Sequence, residues 1–324
     1  MTKALLNALV VVVGTYSWLS IASAQDYPKR PIRMVVPWPP SGTVDILARP
    51  LSQRLAEVAG QPVVIDNRPG ANSIIGSEIV AKAAPDGYTV LIDNITGHAI
   101  NASLYKKVPF DSIRDFEPVT LLASVTNLLV VPQTTGWKSV KDVIAAAKAK
   151  PGQLNYASFG TGSTAHLAGE IFKNAAGIDI IHVPYKGGAP ALLDVMGGRA
   201  SMMFATLPSA LSSVKGGRLT AIATTGAKRS PSTPDIPTVA ESGLPGFEAT
   251  TWYGTMLPVQ TPAAIVKMLR DDLVKITSDN AMREQLLQLG FEVQTSTPAE
   301  LARHLKEETA RWRKVVKQSG AQLD

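Results

Sequence analysis

Four stretches of the chain concentrate glycine and hydroxyl side chains directly after a short apolar run: Pro37 to Asp45, Ser158 to His166, Val183 to Pro190, and Phe204 to Thr206. Such residues on a strand-to-helix turn suit anion binding. Backbone N–H groups point out of the first helical turn, the helix dipole reinforces them, and a missing Cβ lets a ligand approach the main chain. A single glycine-rich turn is common in α/β proteins and serves its own geometry. Four of them, one in the N-terminal part of the chain and three in the middle, suit a cleft that closes on a ligand. Trp38, Phe159 and Tyr185 add aromatic faces to these turns, and Ala205 leaves the fourth without a carboxylate.

Enzyme chemistries lack their parts. Gly160-x-Gly162-x-x-Ala165 has the form of a dinucleotide fingerprint, but the next strand runs into Pro184-Tyr185 rather than ending on the required acidic residue. Ser163 lacks the flanking glycines of a nucleophile elbow, and no phosphate-binding GxxxxGK[ST] loop occurs. His98, His166, His182 and His304 show no metal-ligand spacing, and the chain has no cysteine. No catalytic residue, metal or cofactor is expected.

The turns need rigid elements to position them. Strands are expected at Ile32 to Pro37, Pro62 to Asp66, Tyr88 to Asp93, Leu154 to Ser158, Ile178 to Val183, Ala200 to Phe204 and Leu219 to Thr224, with helical segments between them. Runs such as Met34-Val35-Val36 are apolar without alternation, as in strands buried on both faces of a largely parallel sheet. Helices are punctuated at Lys138 to Lys150, after Thr261-Pro262, and at the Thr297-Pro298-Ala299-Glu300 capping box, which sets Leu301, Leu305, Trp312, Val315 and Val316 on one stripe. Two longer extended segments, 118–132 and 248–258, break the alternation and are expected to be hinge crossings. They divide the chain into a discontinuous lobe 1 (25–124 with 247–324) and lobe 2 (125–246).

Residues 1–24 have the form of a signal peptide: Lys3, an apolar stretch, then Ala22-x-Ala24, with cleavage expected after Ala24 and export to the periplasm. Of the 32 basic residues only Lys3 precedes Gln25, and the 26 acidic residues all follow it, so the mature chain stays mildly basic. That balance suits an anionic small molecule. The basic residues are scattered among acidic ones, which excludes a nucleic-acid groove.

The motifs Tyr27-Pro28, Ile32-Arg33 to Val36-Pro37, Asn67-Arg68-Pro69-Gly70-Ala71, Pro85-Asp86-Gly87-Tyr88, Asp115-Phe116-x-Pro118-Val119, His182-Val183-Pro184-Tyr185-Lys186-Gly187, Pro237-Thr238-Val239-x-Glu241 and Gly246-Phe247 follow one another in an order that resembles the Bug family. These are the substrate-binding proteins of tripartite tricarboxylate transporters, and the resemblance extends from Tyr27 to about Gly320. It implies a type II periplasmic binding protein, a two-lobed α/β Venus-flytrap. It also implies a small organic carboxylate as ligand and a large and a small integral-membrane transporter subunit as partners, the binding protein itself being a monomer. Carried onto this chain, the ligand contacts are Pro40, Ser41, Gly42, Thr43 and Asp45 on one lobe. On the other they are Gly160, Thr161, Gly162, Ser163, Thr164, His166 and Tyr185.

Three positions depart from the family pattern: Ser41 where glycine is frequent, Ala205 where aspartate is frequent, and Pro50 inside the first helix. With Trp38, Phe159 and Ala205 also at the site, the expected ligand is an aryl or alkyl carboxylate, including dicarboxylates, rather than an amino acid or citrate. The alternative use of the same chemistry is sensing, with the loaded protein docking on a sensor kinase.

Overall fold

The computed structural model describes residues 27–323, so the expected signal peptide lies outside the described residues. Among the described residues, ten strands lie in the order β2-β1-β3-β9-β4-β7-β5-β6, with β10 and β8 also pairing β4. β1 (Ile32–Val36), β2 (Val63–Asn67) and β3 (Thr89–Asn94) run parallel, as do β5 (Asn155–Ser158), β6 (Ile181–Pro184) and β7 (Met202–Thr206). Antiparallel pairing enters through the crossing strands β4 (Phe116–Pro132) and β9 (Thr250–Pro258), and through β8 (Leu219–Thr224) and β10 (Glu292–Val293). β4 joins the two sheets. Its residues up to Thr126 pair β9, and from Asn127 onward it pairs β7 and β8.

Helices cover both faces of each sheet, which explains the unbroken apolar runs. Met34 and Val36 enter a core beneath α1 (Thr43–Ala59), α8 (Ala263–Ser278) and α9 (Asn280–Gln288), whereas Val35 between them enters a core on the opposite face. That second core holds α2 (Ile74–Ala81), α3 (Asn101–Leu104) and α10 (Pro298–Ser319), and also takes Leu167 of α5 (Thr164–Ala176) from the other lobe. Two further cores sandwich the second sheet with α4 (Val140–Ala149), α5, α6 (Gly188–Met196) and α7 (Leu207–Lys215). The capping box at Thr297 and Glu300 is formed, and Trp312 is buried on the α10 stripe. α1 continues through Pro50, which has no N–H to offer the Ile46 carbonyl one turn back.

Candidate ligand-binding site

A cavity of ≈ 350 Å³ lies between the two sheets, lined by residues from both. Helix starts surround it: α1 brings Gly42, Thr43 and Val44; α5 brings Thr164; α6 brings Gly187, Gly188 and Ala189; α7 follows Thr206 with Pro208 and Ser209. Helix N-termini carry the positive end of a dipole and N–H groups without intrahelical partners, so this space favours an anion, although in α5 the His166 amide is already capped by Ser163 Oγ. Among the described residues no acidic side chain lines the cavity, and Lys186 is the one cation on its wall. Trp38, Ile46, Phe159 and Leu192 supply apolar wall.

Local geometry explains the first turn. Ser41 sits in the left-handed region at φ 63°, a conformation glycine adopts freely and serine adopts at a cost of about 1 kcal/mol. The turn is held by Asp45, which is buried and does not line the cavity. Its carboxylate accepts from the Ser41 amide at 2.9 Å, from Asn67 Nδ2 at 3.0 Å, and from Arg49 through Nε at 2.7 Å and Nη2 at 3.0 Å. Burial opposes its charge, but these bonds together hold its carboxyl below the usual range. Asp45 is therefore a brace.

The second turn differs more from the expectation. Phe159 and Thr164 line the cavity, but Gly160, Thr161, Gly162, Ser163 and His166 do not. The Thr161 carbonyl accepts from Asn72 Nδ2 of the opposite lobe at 2.7 Å, and a Cβ on Gly162 would stand 2.0 Å from Leu104 Cδ2. The missing Cβ of Gly162 here makes room for the other lobe. Ser163 caps α5, and the His166 ring accepts from the Gly162 amide at 3.0 Å. Tyr185 turns its hydroxyl to Asp194 at 2.7 Å, and Ala205 is packed in an apolar core. Neither lines the cavity. Across the cleft, the Thr43 and Thr206 hydroxyls meet at 2.7 Å.

Of the predicted contacts, Trp38, Pro40, Ser41, Gly42, Thr43, Phe159 and Thr164 thus share one cavity. Lys186, Gly187, Gly188 and Thr206 of the third and fourth turns also line it, though they were not among the expected contacts, and Asn94, Ser209, Ser212 and Tyr253 come from outside the four turns. Most of them sit at or just beyond the carboxyl end of a strand, where α/β sheets bind ligands. Asn94 and Tyr253 are register partners on β3 and β9, and the buried Tyr253 hydroxyl lies near the Thr43 side chain at the cavity wall.

His166 and His182 stack with ring centroids 3.9 Å apart, and Ser158 Oγ meets His182 Nε2 at 2.7 Å. Burial, with the neighbouring ring as a second cause for His166, pushes their pKa values down to about 3 and about 4. Both are neutral in the folded protein and gain a proton more readily when unfolded, so stability present above pH 6.5 is lost as pH falls through 6.5 toward 4. Asp93, raised to about 7, has the opposite sign between its unfolded value near 4 and 7. Asp93 opposes the histidines over this range and buried His98 adds to them, so the slope of the urea midpoint between pH 6.5 and 4 is read as a difference between variants, the stacked pair contributing a decline on the order of 2 kcal/mol after discounting for solvent at His182. In His182→Gln that decline should be shallower, and an equal decline would place the acid sensitivity elsewhere.

Comparison with known proteins fits this geometry. A family model described as the tripartite tricarboxylate transporter family receptor matches residues 47–321. Protein BugT of Bordetella pertussis is 35% identical over 320 residues, covering 98% of each chain. The structure of Rpa4515 from R. palustris with adipate superposes with a TM-score of 0.89 at 39% identity, covering 92% of this chain and 100% of that one. MatC from Rhodopseudomonas palustris with bound malate gives 0.82 at 31% identity, covering 90% and 100%. The two-lobed α/β fold, the cleft between its lobes and a match over most of the chain lead to one assignment: this chain belongs to the tripartite tricarboxylate transporter receptor family, the Bug-type periplasmic solute-binding proteins, which are receptors and not enzymes.

Proposed function

We propose that the protein captures an organic carboxylate in the cavity between its lobes and delivers it, as a periplasmic monomer cleaved after Ala24, to a large and a small integral-membrane transporter subunit. The observation that carries the reading is the cavity's electrostatics: helix starts from both lobes converge on a space with no acidic wall residue among the described residues. The Tyr253 and Thr43 hydroxyls add polar groups to the wall, and the Trp38, Ile46, Phe159 and Leu192 walls suit a hydrocarbon body. The relatives bound to adipate and malate support a carboxylate. Lobe 1 comprises 25–124 with 247–324 and lobe 2 comprises 125–246. The hinge lies where β4 changes partners after Thr126 and where the Ala249 amide bonds the Thr225 carbonyl at 2.9 Å.

A thermal-shift panel of adipate, benzoate, terephthalate, malate, glutamate and citrate tests the ligand class. A bound carboxylate at a hundred times its Kd stabilises the fold by about 2.7 kcal/mol. Adipate or an aryl carboxylate should give the largest shift and NAD(H) none. A largest shift with glutamate or citrate would reject the apolar-body preference, and no shift with any carboxylate would reject the function. Deleting the gene should abolish uptake of the ligand; loss of induction with intact uptake would favour sensing.

A further inference from the structure

Behind the cavity wall lies a buried carboxyl that ligand binding, as described so far, does not use. Asp93 is the fifth residue of β3 and is 1% exposed. Its Oδ1 accepts from the indole Nε1 of Trp38 at 2.6 Å and from the backbone amide of Asn94 at 2.7 Å. Both donors belong to residues that line the cavity. Its Oδ2 takes a longer bond from Ser77 Oγ at 3.3 Å, and a Cβ on Gly97 would stand 2.0 Å from it. The glycine therefore lets the π-helical turn Thr96–Ile100 close over the carboxyl.

We propose that Asp93 is the positioning residue of this cavity, one buried oxygen fixing Trp38 and Asn94 against the ligand, and that a carboxylate binds best when Asp93 carries a proton. The inference rests on the carboxylate reading of the cavity. The hydrogen-bond partners given above are neutral, an indole, an amide and a hydroxyl, so an ionised Asp93 would meet an incoming anion as a second negative charge in a poorly solvated region. The titratable groups that face it add no cation. His98 Nε2 is 3.7 Å from Oδ2, but burial holds that ring neutral, its pKa pushed down to about 3. Tyr253 on β9 is a buried phenol whose ionisation burial opposes. Burial raises Asp93 itself to about 7, where proton uptake on binding is accessible. Ligand binding should raise that value further, so affinity increases as pH falls through 7.

Two measurements test this. Calorimetric titration with adipate from pH 8.5 to 6.5, where adipate itself stays ionised, should show affinity rising about tenfold, the effect of one unit of coupled pKa shift. Asp93→Asn keeps an acceptor for Trp38 and should bind with a flat pH profile, whereas Asp93→Ala should weaken binding at every pH. Independently of any ligand, the indole N–H resonance of Trp38, assigned by its loss in Trp38→Phe, should shift with a midpoint near 7. In Asp93→Ala that resonance should move to the position of a solvent-exposed indole. An unchanged Trp38 resonance in Asp93→Ala, or a wild-type pH slope in Asp93→Asn, overturns the proposal. Failure of wild-type protein to bind adipate would instead count against the ligand class, and the resonance would still decide the role of Asp93.

Discussion

Gly162→Leu is expected to abolish carboxylate binding while leaving a folded protein. Gly162 has φ 80°, so any side chain is strained there, and its Cβ would stand 2.0 Å from Leu104 Cδ2. Leu104 belongs to the core on the β1–β3 side, and Gly162 precedes α5 on the β5–β7 side, so the clash acts between lobes. The variant should fold lobe by lobe and fail to close. Affinity for the best ligand of the thermal-shift panel should fall at least about a hundredfold, because the closed state loses roughly 3 kcal/mol or more. Leu104→Ala separates the two explanations of that loss. If Gly162 serves closure, Gly162→Ala should weaken binding and Leu104→Ala should restore much of it in the double variant, with a coupling energy of about 1 kcal/mol or more. If Gly162 contacts the ligand, the double variant will bind no better than Gly162→Ala. The same pairing predicts a smaller loss for Asn72→Ala, which removes the 2.7 Å bond to the Thr161 carbonyl.

The contact of Gly162 with Leu104 lies beyond what the sequence shows. Every expected strand is present within a few residues: the inner strands because strands buried on both faces must be apolar throughout, and the partly exposed β2 and β6 through β-branched residues next to turns of glycine, proline or a hydroxyl. The strand-to-helix turns that carry most of the cavity were legible for the same reason. Which side chain of a turn faces the ligand is a tertiary question. A glycine that admits a ligand and one that admits the opposite lobe have the same sequence, and only the placement of Asn72 and Leu104 distinguishes them. Tyr253 enters the cavity because β9 registers it opposite Asn94, a pairing across more than a hundred and fifty residues that no local pattern encodes. The start of α7 was more accessible. Thr206-Leu207-Pro208-Ser209 is a strand end followed by proline in the first helical turn, and this local signal points to Thr206 and Ser209 rather than Ala205. Asp45 shows the reverse: an acidic residue in the first turn of a helix beside a cavity, retained for the Ser41, Asn67 and Arg49 bonds that shape the loop.

Trp312→Ala should produce the largest loss of stability, about 3–5 kcal/mol, as expected for emptying a large aromatic site in a packed core. Trp312 is 1% exposed in the core where α10 meets Leu91, Ile95 and Leu104 of one lobe and Leu167 of the other. Volume is only part of the cost. The indole Nε1 donates to Glu308 Oε2 at 2.9 Å, and Glu308 is itself buried, with Arg311 Nη1 3.3 Å from its other oxygen. Arg311 also donates through Nη2 to the Glu248 carbonyl at 3.2 Å, just before β9 begins, so the network ties α10 to the second crossing between lobes. Trp312→Phe keeps most of the packing and deletes the indole donor, and its cost of about 1–3 kcal/mol should isolate the stranded carboxylate. Glu308→Gln keeps an acceptor for the indole without the charge and should cost less than either. Because none of these residues lines the cavity, ligand affinity measured at a temperature where each variant is folded should stay near wild type. Equal destabilisation by Trp312→Phe and Trp312→Ala would show that the hydrogen bond, not the packed volume, carries the stability of α10. A large affinity change in Trp312→Phe would show that this core also sets the closing equilibrium of the lobes it spans.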